Sequence, residues 1–540
     1  MKSIMEAITL NDRDMREHFW TQDALHFGHP LTPLFASYMV PAITAGTLSA
    51  MTTLRAPVQQ FIGKVYDGYF YQAVVPAPGD PEEQMRIHQQ TLHALMDHQN
   101  ERFEATVVRQ ILPLYAEIDA MSQRTLTPED AAQGLKRLEA IYRELWELHF
   151  LVVLPRGAVS AVFEEVYHEA FPDRDPAEVY ALVLGTMNKS LETDRGLWQL
   201  AQLAKDNREV ADCFQAPDIW ACLSATRNGQ LFLDALQTFL DNYGWRSVTS
   251  HEFVEPTWRE DPRHALTVVK SFMDNGFDFD ARLAQVQQDR ERKVQEVLSQ
   301  IDDPLLKQKF RDVHAMTLQA WAIDEDHHFY IDAMLPAKCR PFLKQVGALL
   351  TTEGHLATPD DIFFCYLDEV LDALDAATPV KPLSRLVEQR RHAYEQQKTT
   401  KPQATFGTPP ERRPRDPMMT RIFGEGAPSV EGSTRVVRGF GASPGVYRGR
   451  ARVIHSPQDF GKVAPGEILV CRTTTPAWTA LFGVVGAVVT DTGGILSHAA
   501  TVAREYAIPC VVGTRIATAR FRDGDQLVVD GSEGTVLAHG

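Results

Sequence analysis

Residues 484–514 limit the possible folds of this chain more than any other stretch. VVGAVVT (484–490) is an apolar run of the length of a buried strand. Gly493 and Gly494 break the pattern and allow positive φ or a close backbone approach. Ser497 stands at an N-cap position, AATVARE (499–505) reads as a helix, and IPCVVG (508–513) returns to strand. The result is a strand, a glycine loop, a helix and a strand, with His498 on the helix's first turn. Free backbone N–H groups and the positive end of the helix dipole favour anions there. With a reference pKa of about 6.5, an imidazole at neutral pH keeps a ring lone pair for attack on phosphorus. A single histidine in such a place is more often a cap or surface residue, so the surrounding pattern has to decide.

Around this stretch, residues 434–540 carry short strands separated by turns. VYRGRARVI (446–454) alternates, EILVC (467–471) is apolar, and QLVVDG (526–531) and GTVLAH (534–539) form a closing pair. The helix after His498 is the one clear helix. Residues 396–433 are rich in Pro, Gly, Thr and charge, with little periodicity, and read as a flexible linker. Their basic cluster, Arg412, Arg413 and Arg415, reads by default as solvated. From about 80 to 395 the periodicity is helical, over 82–122, 128–150, 176–206, 229–243, 280–300 and 304–335, with LTPED (126–130) and FPDRDPAE (171–178) as helix starts. The expected architecture is multidomain. A large, mostly α domain covers 1–395, a flexible linker 396–433, and a small α/β domain 434–540.

A length of 540 residues fits two or three domains, and the net charge of −17 argues against broad nucleic-acid binding. The six cysteines are scattered without C-x-x-C or zinc spacing, which fits a reducing, cytoplasmic setting. The N-terminus has no signal-peptide h-region, and no run of about 18 apolar residues suggests a membrane span. LHFLVVLP (148–155) is too short for one and reads as core helix.

A hydroxyl acceptor would need a base within reach. His327 and His328 lie in a predicted helix. Asp324 is four residues and Glu325 three before His328, so either carboxylate could orient its imidazole. His251 is a further candidate. Arg246 and Arg259 suit phosphate or substrate, because guanidinium grips oxyanions in a bidentate fork. Asp324, His327 and His328 lack a convincing further ligand, so no metal site is expected. Glu164 and His168 read as a surface pair.

The pattern G-G-x-x-S-H-A-A-x-x-A-R-E-x-x-I-P-x-V-V-G-T closely resembles the phosphohistidine signature of the swivelling domain of phosphoenolpyruvate-utilising enzymes. GFGASPGVYRGRARV (439–453) and TTTPAWTALF (473–482) are similar to that domain's opening strands and its Thr-x-Pro-x-Trp-Thr segment. Within the helical part, GHPLTPLFASYM (28–39), YGWRSVTSHEFVEPTWREDP (243–262), EDHHFYID (325–332) and GALLTTEGHLATPDDIFF (347–364) resemble the substrate-binding domain of rifampin phosphotransferase and its relatives.

The resemblance implies a β/β/α swivelling phosphohistidine domain and a helical substrate-binding domain. It makes His498 the phosphoryl carrier, with Gly493, Gly494 and Ser497 holding the phosphoryl group and Thr475, Trp478, Thr479 and Arg504 lining or supporting the loop. Leu496 stands where pyruvate phosphate dikinase has a regulatory threonine, so that control does not carry over. Trp245 stands where relatives often have histidine. It reads either as a flat surface for an aromatic substrate or as a core residue.

No Walker loop and no stretch like the family's ATP-grasp domain is seen, and no pyruvate-binding barrel. The division resembles that of phenylphosphate synthase and alkylphenol-phosphorylating enzymes. It implies a separate ATP-grasp subunit that binds ATP and Mg²⁺, none held tightly by this chain, and a small, phenolic hydroxyl acceptor. The competing expectations are a component acting on a rifamycin-like antibiotic, and a non-catalytic phosphocarrier or regulatory subunit.

Overall fold

The computed structural model describes residues 3–247, 249–274, 276–375, 382–410, 436–455, 457–475 and 478–539. The chain forms two units. One comprises residues 1–158, 249–255 and 327–413, the other residues 159–248, 256–326 and 414–540. The C-terminal α/β domain therefore shares a unit with the middle third of the helical region.

The first unit contains a small sheet that the helical reading passed over. Strands β1 (Trp20–Gln22), β2 (Val58–Tyr66), β3 (Tyr69–Pro76) and β4 (Thr405–Phe406) lie in the order β2-β3-β1-β4, with all pairings antiparallel. The β2–β3 turn is Asp67-Gly68, with φ of 47° and 79°. A two-residue hairpin loop needs positive φ at both positions, and Asp-Gly supplies it at low cost. Strand β4 comes from the expected linker. The Tyr69 hydroxyl donates to the Gln397 carbonyl (2.7 Å) and the Tyr71 hydroxyl to that of Gln403 (2.6 Å), so the linker's first residues are held to the sheet. Residues 411–435, with Arg412, Arg413 and Arg415, lie outside the described residues.

The helix expected over 128–150 starts at Pro128. Thr127 and Asp130 cap each other's backbone N–H groups there, and the helix continues to Ala170. This helix and Pro33–Thr53 are long and apolar enough to cross a membrane by length and composition. Their most apolar windows are 44% and 72% buried inside the protein. Burial argues for a core helix at Pro33–Thr53, while the apolar window of Pro128–Ala170 is less than half buried. The helix expected over 304–335 is broken. Pro304–Ala320 and Ile323–His327 are α-helical, His328–Ala333 is a π turn, and Met334–Thr352 is α-helical again.

In the second unit, helices Lys189–Lys205, Arg227–Tyr243 and Arg263–Asp274 pack around Leu197, Phe232, Leu236 and Phe272. Cys213 and Cys222 form a disulfide that joins the short helices Arg208–Cys213 and Ile219–Ser224. The scattered spacing of the six cysteines did not foretell this pairing. The N-caps Asn207 and Asp218 start the two helices and bring the thiols together.

Strands β5 (Val436–Arg438), β6 (Phe440–Ser443), β7 (Val446–Ile454), β8 (Ile468–Cys471), β9 (Ala487–Thr490), β10 (Cys510–Val512), β11 (Gln526–Asp530) and β12 (Thr535–His539) form one sheet, ordered β5-β12-β11-β7-β8-β9-β10-β6. The β7–β8–β9–β10 centre is parallel and both flanks are antiparallel. Parallel strands are buried on both faces, which is why β8, β9 and β10 are continuously apolar. Besides the helix after His498, Thr479–Phe482 and Ala517–Arg520 are short helices. One sheet face and the His498 helix share a continuous core with the helical layer, running from Leu197 and Trp258 through Trp478 and Phe482 to Tyr506.

Candidate functional site

The end of β9 aims the chain at the loop that precedes His498. Asp491 accepts from the Thr518 backbone N–H (3.1 Å) and the Thr514 hydroxyl (3.2 Å), which anchors the loop's start. Gly493 then takes φ of 95°, a region that a side chain would strain. Ser497 is the extended N-cap of helix His498–Glu505. Its hydroxyl is buried and has no hydrogen-bond partner among the described residues, and the same is true of the Thr475 hydroxyl. Two hydroxyls without partners near a helix start are donors ready for an oxyanion.

The His498 side chain is only 9% exposed. Thr474 Oγ1 lies 2.9 Å from its Nδ1 and Thr479 Oγ1 lies 3.3 Å from its Nε2. The partner on one ring nitrogen fixes the role of the other. Each threonine hydroxyl can donate or accept, so these contacts fit either tautomer; Nε2 also faces Glu325 Oε2 at 4.0 Å. Ser190 donates to that same carboxylate oxygen (2.6 Å).

Arg246 is buried close by and donates to the Lys189 carbonyl and the Thr193 hydroxyl, each at 3.2 Å. Burial lowers its guanidinium to about 10, against the pull of Glu325, Asp194 and Asp326. Farther along the His498 helix, the Tyr506 hydroxyl donates to Asp194 Oδ2 (2.6 Å) and Glu505 Oε2 accepts from the Gly185 N–H (2.6 Å). Burial raises both acids to about 7, Asp194 against the Tyr506 hydrogen bond and Glu505 against that from Gly185.

Of the residues singled out in the sequence, Gly493, Gly494, Ser497, Thr475 and Thr479 belong to the His498 loop and its surroundings. Arg246 joins them through Glu325. Arg504 lies over the Tyr180 ring (5.8 Å), with burial lowering it to about 10. Trp245 and Arg259 contact each other, the guanidinium lying 4.4 Å from the ring centroid, and Arg259 also pairs with Asp241 (2.8 Å). Sequence reasoning missed Thr474 and the role of Glu325. Thr474 is the second of three consecutive threonines, and nothing in the pattern ranks it above Thr475.

His251, His327 and His328 assemble in the first unit around Asp332. Asp332, rather than Asp324 or Glu325, is the carboxylate that binds His328: Nδ1 hydrogen-bonds Asp332 Oδ2. Four residues separate them inside the π turn. His149, on the long helix, places Nδ1 3.2 Å from Asp332 Oδ1, and His251 Nε2 lies 3.7 Å from the same oxygen. His327 stacks edge-on to His149, with centroids 5.1 Å apart. Phe27 and Trp146 close the cluster against His251 and His149. Burial works to raise the Asp332 carboxyl, but the imidazoles of His149 and His328 hold it well below the ordinary range. His251 sits at φ of 58°, a left-handed conformation that costs a side chain about 1–2 kcal/mol. His251 and His327 are buried, whereas the His328 side chain is 29% exposed.

Comparison with known proteins locates both halves of the second unit. Residues 463–534 match the PEP-utilising enzyme mobile domain, and residues 149–320 match the rifampicin phosphotransferase fourth domain. The phosphotransferase YvkC of Bacillus subtilis (strain 168), itself uncharacterised, is 36% identical over 98% of this chain and 63% of its own length. The chondramide synthase cmdD of Chondromyces crocatus is 30% identical over 96% of this chain and 14% of its own length. A rifampicin phosphotransferase of Streptomyces sviceus is 29% identical over 65% of this chain and 40% of its own length. The chain thus spans less than two thirds of each of these relatives. It joins a PEP-utilising mobile domain to a rifampicin phosphotransferase fourth domain and is related to YvkC and rifampicin phosphotransferase.

Proposed function

We propose that the chain is the substrate and histidine-domain component of an ATP-dependent phosphotransferase. An ATP-grasp subunit, separate from this chain, binds ATP with Mg²⁺. His498 Nε2 attacks the β-phosphorus, so an N–P bond forms as the P–O bond to AMP breaks; water then cleaves the β–γ P–O bond of the pyrophosphoryl-histidine, phosphate leaves, and one phosphoryl group stays on Nε2. The phosphoryl group then passes to a hydroxyl of a small, phenolic acceptor. There the O–P bond forms, the N–P bond breaks, Nε2 regains its lone pair, and a base takes the hydroxyl proton. His328 is assigned as that base, because its ring is the exposed one and Asp332 orients it. A phenol's pKa of about 10 makes the proton transfer a modest task.

The single observation that carries this reading is the placement of His498. It stands at a helix start, with Thr474 Oγ1 2.9 Å from Nδ1 and Thr479 Oγ1 3.3 Å from Nε2. Its surroundings also give a reason to move. A phosphoryl group on Nε2 would stand beside the Glu325 carboxylate. Like charges about 4 Å apart repel by about 4 kcal/mol at an effective dielectric of 20. Loading therefore disfavours the docked position and frees the domain to travel.

The test is intact mass after incubation with Mg-ATP, with and without an ATP-grasp partner. An acid-labile, partner-dependent phosphoryl adduct, lost in His498→Ala and discharged by phenols, is the expected result. An adduct that persists in His498→Ala would overturn the assignment. Discharge to a rifamycin but not to phenols would move the acceptor to the antibiotic class.

A further inference from the structure

The cluster around Asp332 has a feature that a general base does not require. His149 Nδ1 and Asp332 Oδ1 face each other at 3.2 Å, yet neither they nor the ring nitrogens of His251 meet hydrogen-bond geometry with a partner among the described residues. Buried polar atoms are nearly always satisfied, so a buried set of imidazole and carboxylate atoms short of good hydrogen bonds is the kind of set that an ion completes. All three residues are more than nine-tenths buried, as is His327.

One ligand atom each from His149, His327 and Asp332 lies within 4.8 Å of the other two. Three points that close share a centre at most about 2.8 Å from each. Reaching the ~2.0–2.2 Å of zinc–nitrogen and zinc–carboxylate bonds asks for shifts below an ångström. His251 Nε2, 3.7 Å from Asp332 Oδ1, lies outside that three-residue group and would have to move in to serve as a fourth donor.

The backbone shows how the chain builds the set. His327 and Asp332 are five residues apart, which regular α-helix would place about 140° apart around the axis. The π turn His328–Ala333, with its i to i+5 hydrogen bonding, brings the fifth residue back above the first. His149 comes from a separate helix. His251 is held in a left-handed conformation, a form of strain concentrated at functional sites.

We propose that His149, His327 and Asp332, with His251 as fourth donor, form a binding site for one divalent transition-metal ion of the zinc class. Two or three imidazoles and one carboxylate select such an ion over Mg²⁺ or Ca²⁺, which take oxygen ligands. His328, on the other carboxylate oxygen, then supports Asp332 from outside the metal's shell. The site also removes His327 and His251 from the possible free bases. It does not depend on the phosphotransfer reading.

The experiment uses the full chain, freed of metal by chelation and titrated with Zn²⁺ and with Co²⁺. Expected are one equivalent bound, Co²⁺ visible bands of four-coordinate intensity, and a higher melting temperature for the loaded protein. His149→Ala and His327→Ala should each weaken binding at least 100-fold, while His168→Ala, an exposed histidine elsewhere, leaves it unchanged. If the alanine variants do not fold, the wild-type Co²⁺ spectrum and stoichiometry decide alone. No stoichiometric uptake at micromolar free metal, or uptake that survives both substitutions, overturns the site. In that case the cluster is an imidazole–carboxylate network only.

Discussion

Asp194 gives the sharpest test of how the His498 helix is held. Its carboxyl is buried, accepts from the Tyr506 hydroxyl and lies near Arg246 and Glu325. Burial raises it to about 7, from an unfolded value of about 3.9. An acid raised in the folded state is favoured neutral. Its contribution is complete below the unfolded value and is lost as pH rises through about 7. Between pH 5.5 and pH 8 this loss amounts to about 2 kcal/mol. Asp194→Asn keeps an acceptor for Tyr506 and cannot ionise. The variant's stability relative to wild type should therefore grow by about 2 kcal/mol over that interval, about 30-fold in protection. Glu505, raised to about 7 for the same reason, is present in both proteins and cancels. Native-state hydrogen exchange of peptides spanning 495–508 and 189–205, corrected for intrinsic rates, reads the local opening directly. A difference that stays flat with pH, or reverses sign, would refute the argument that Asp194 is held neutral.

Two further perturbations address other parts of the second unit. Thr474→Val removes a partner of His498 Nδ1, worth about 0.5–1.5 kcal/mol, and should slow phosphoryl loading by up to about tenfold. Single-turnover kinetics with the ATP-binding partner would measure it, and an unchanged rate would show that Thr474 does not assist His498. Cys213→Ala opens a loop closed by a disulfide over a separation of nine residues. Loop-closure entropy puts that at about 2–3 kcal/mol, so the variant and the wild type under reductant should melt earlier by similar amounts.

Much of the His498 unit was readable because its features are local. The end of β9, the N-cap Ser497, the helix to Glu505 and β10 follow one another within about 25 residues, and each obeys a short-range rule. The Asp67-Gly68 hairpin obeys a rule just as local. It escaped attention because residues 58–76 precede the long helical stretch and β1 and β4, its sheet neighbours, are too short to show periodicity.

The Asp332 cluster is a different case. The helical spacing rule paired His328 with Asp324 or Glu325, on the assumption that the α-helix continues. The π turn changes the period between His327 and Asp332, and no side chain in HFYIDA announces it. Glu325, freed from that pairing, faces His498 instead, 173 residues away in sequence. His149 and His251 reach Asp332 from segments distant in the chain, so their convergence is a property of packing alone. A reading built on periodicity finds the elements and the His498 loop. It misses a site whose donors meet only because one helix departs from its period.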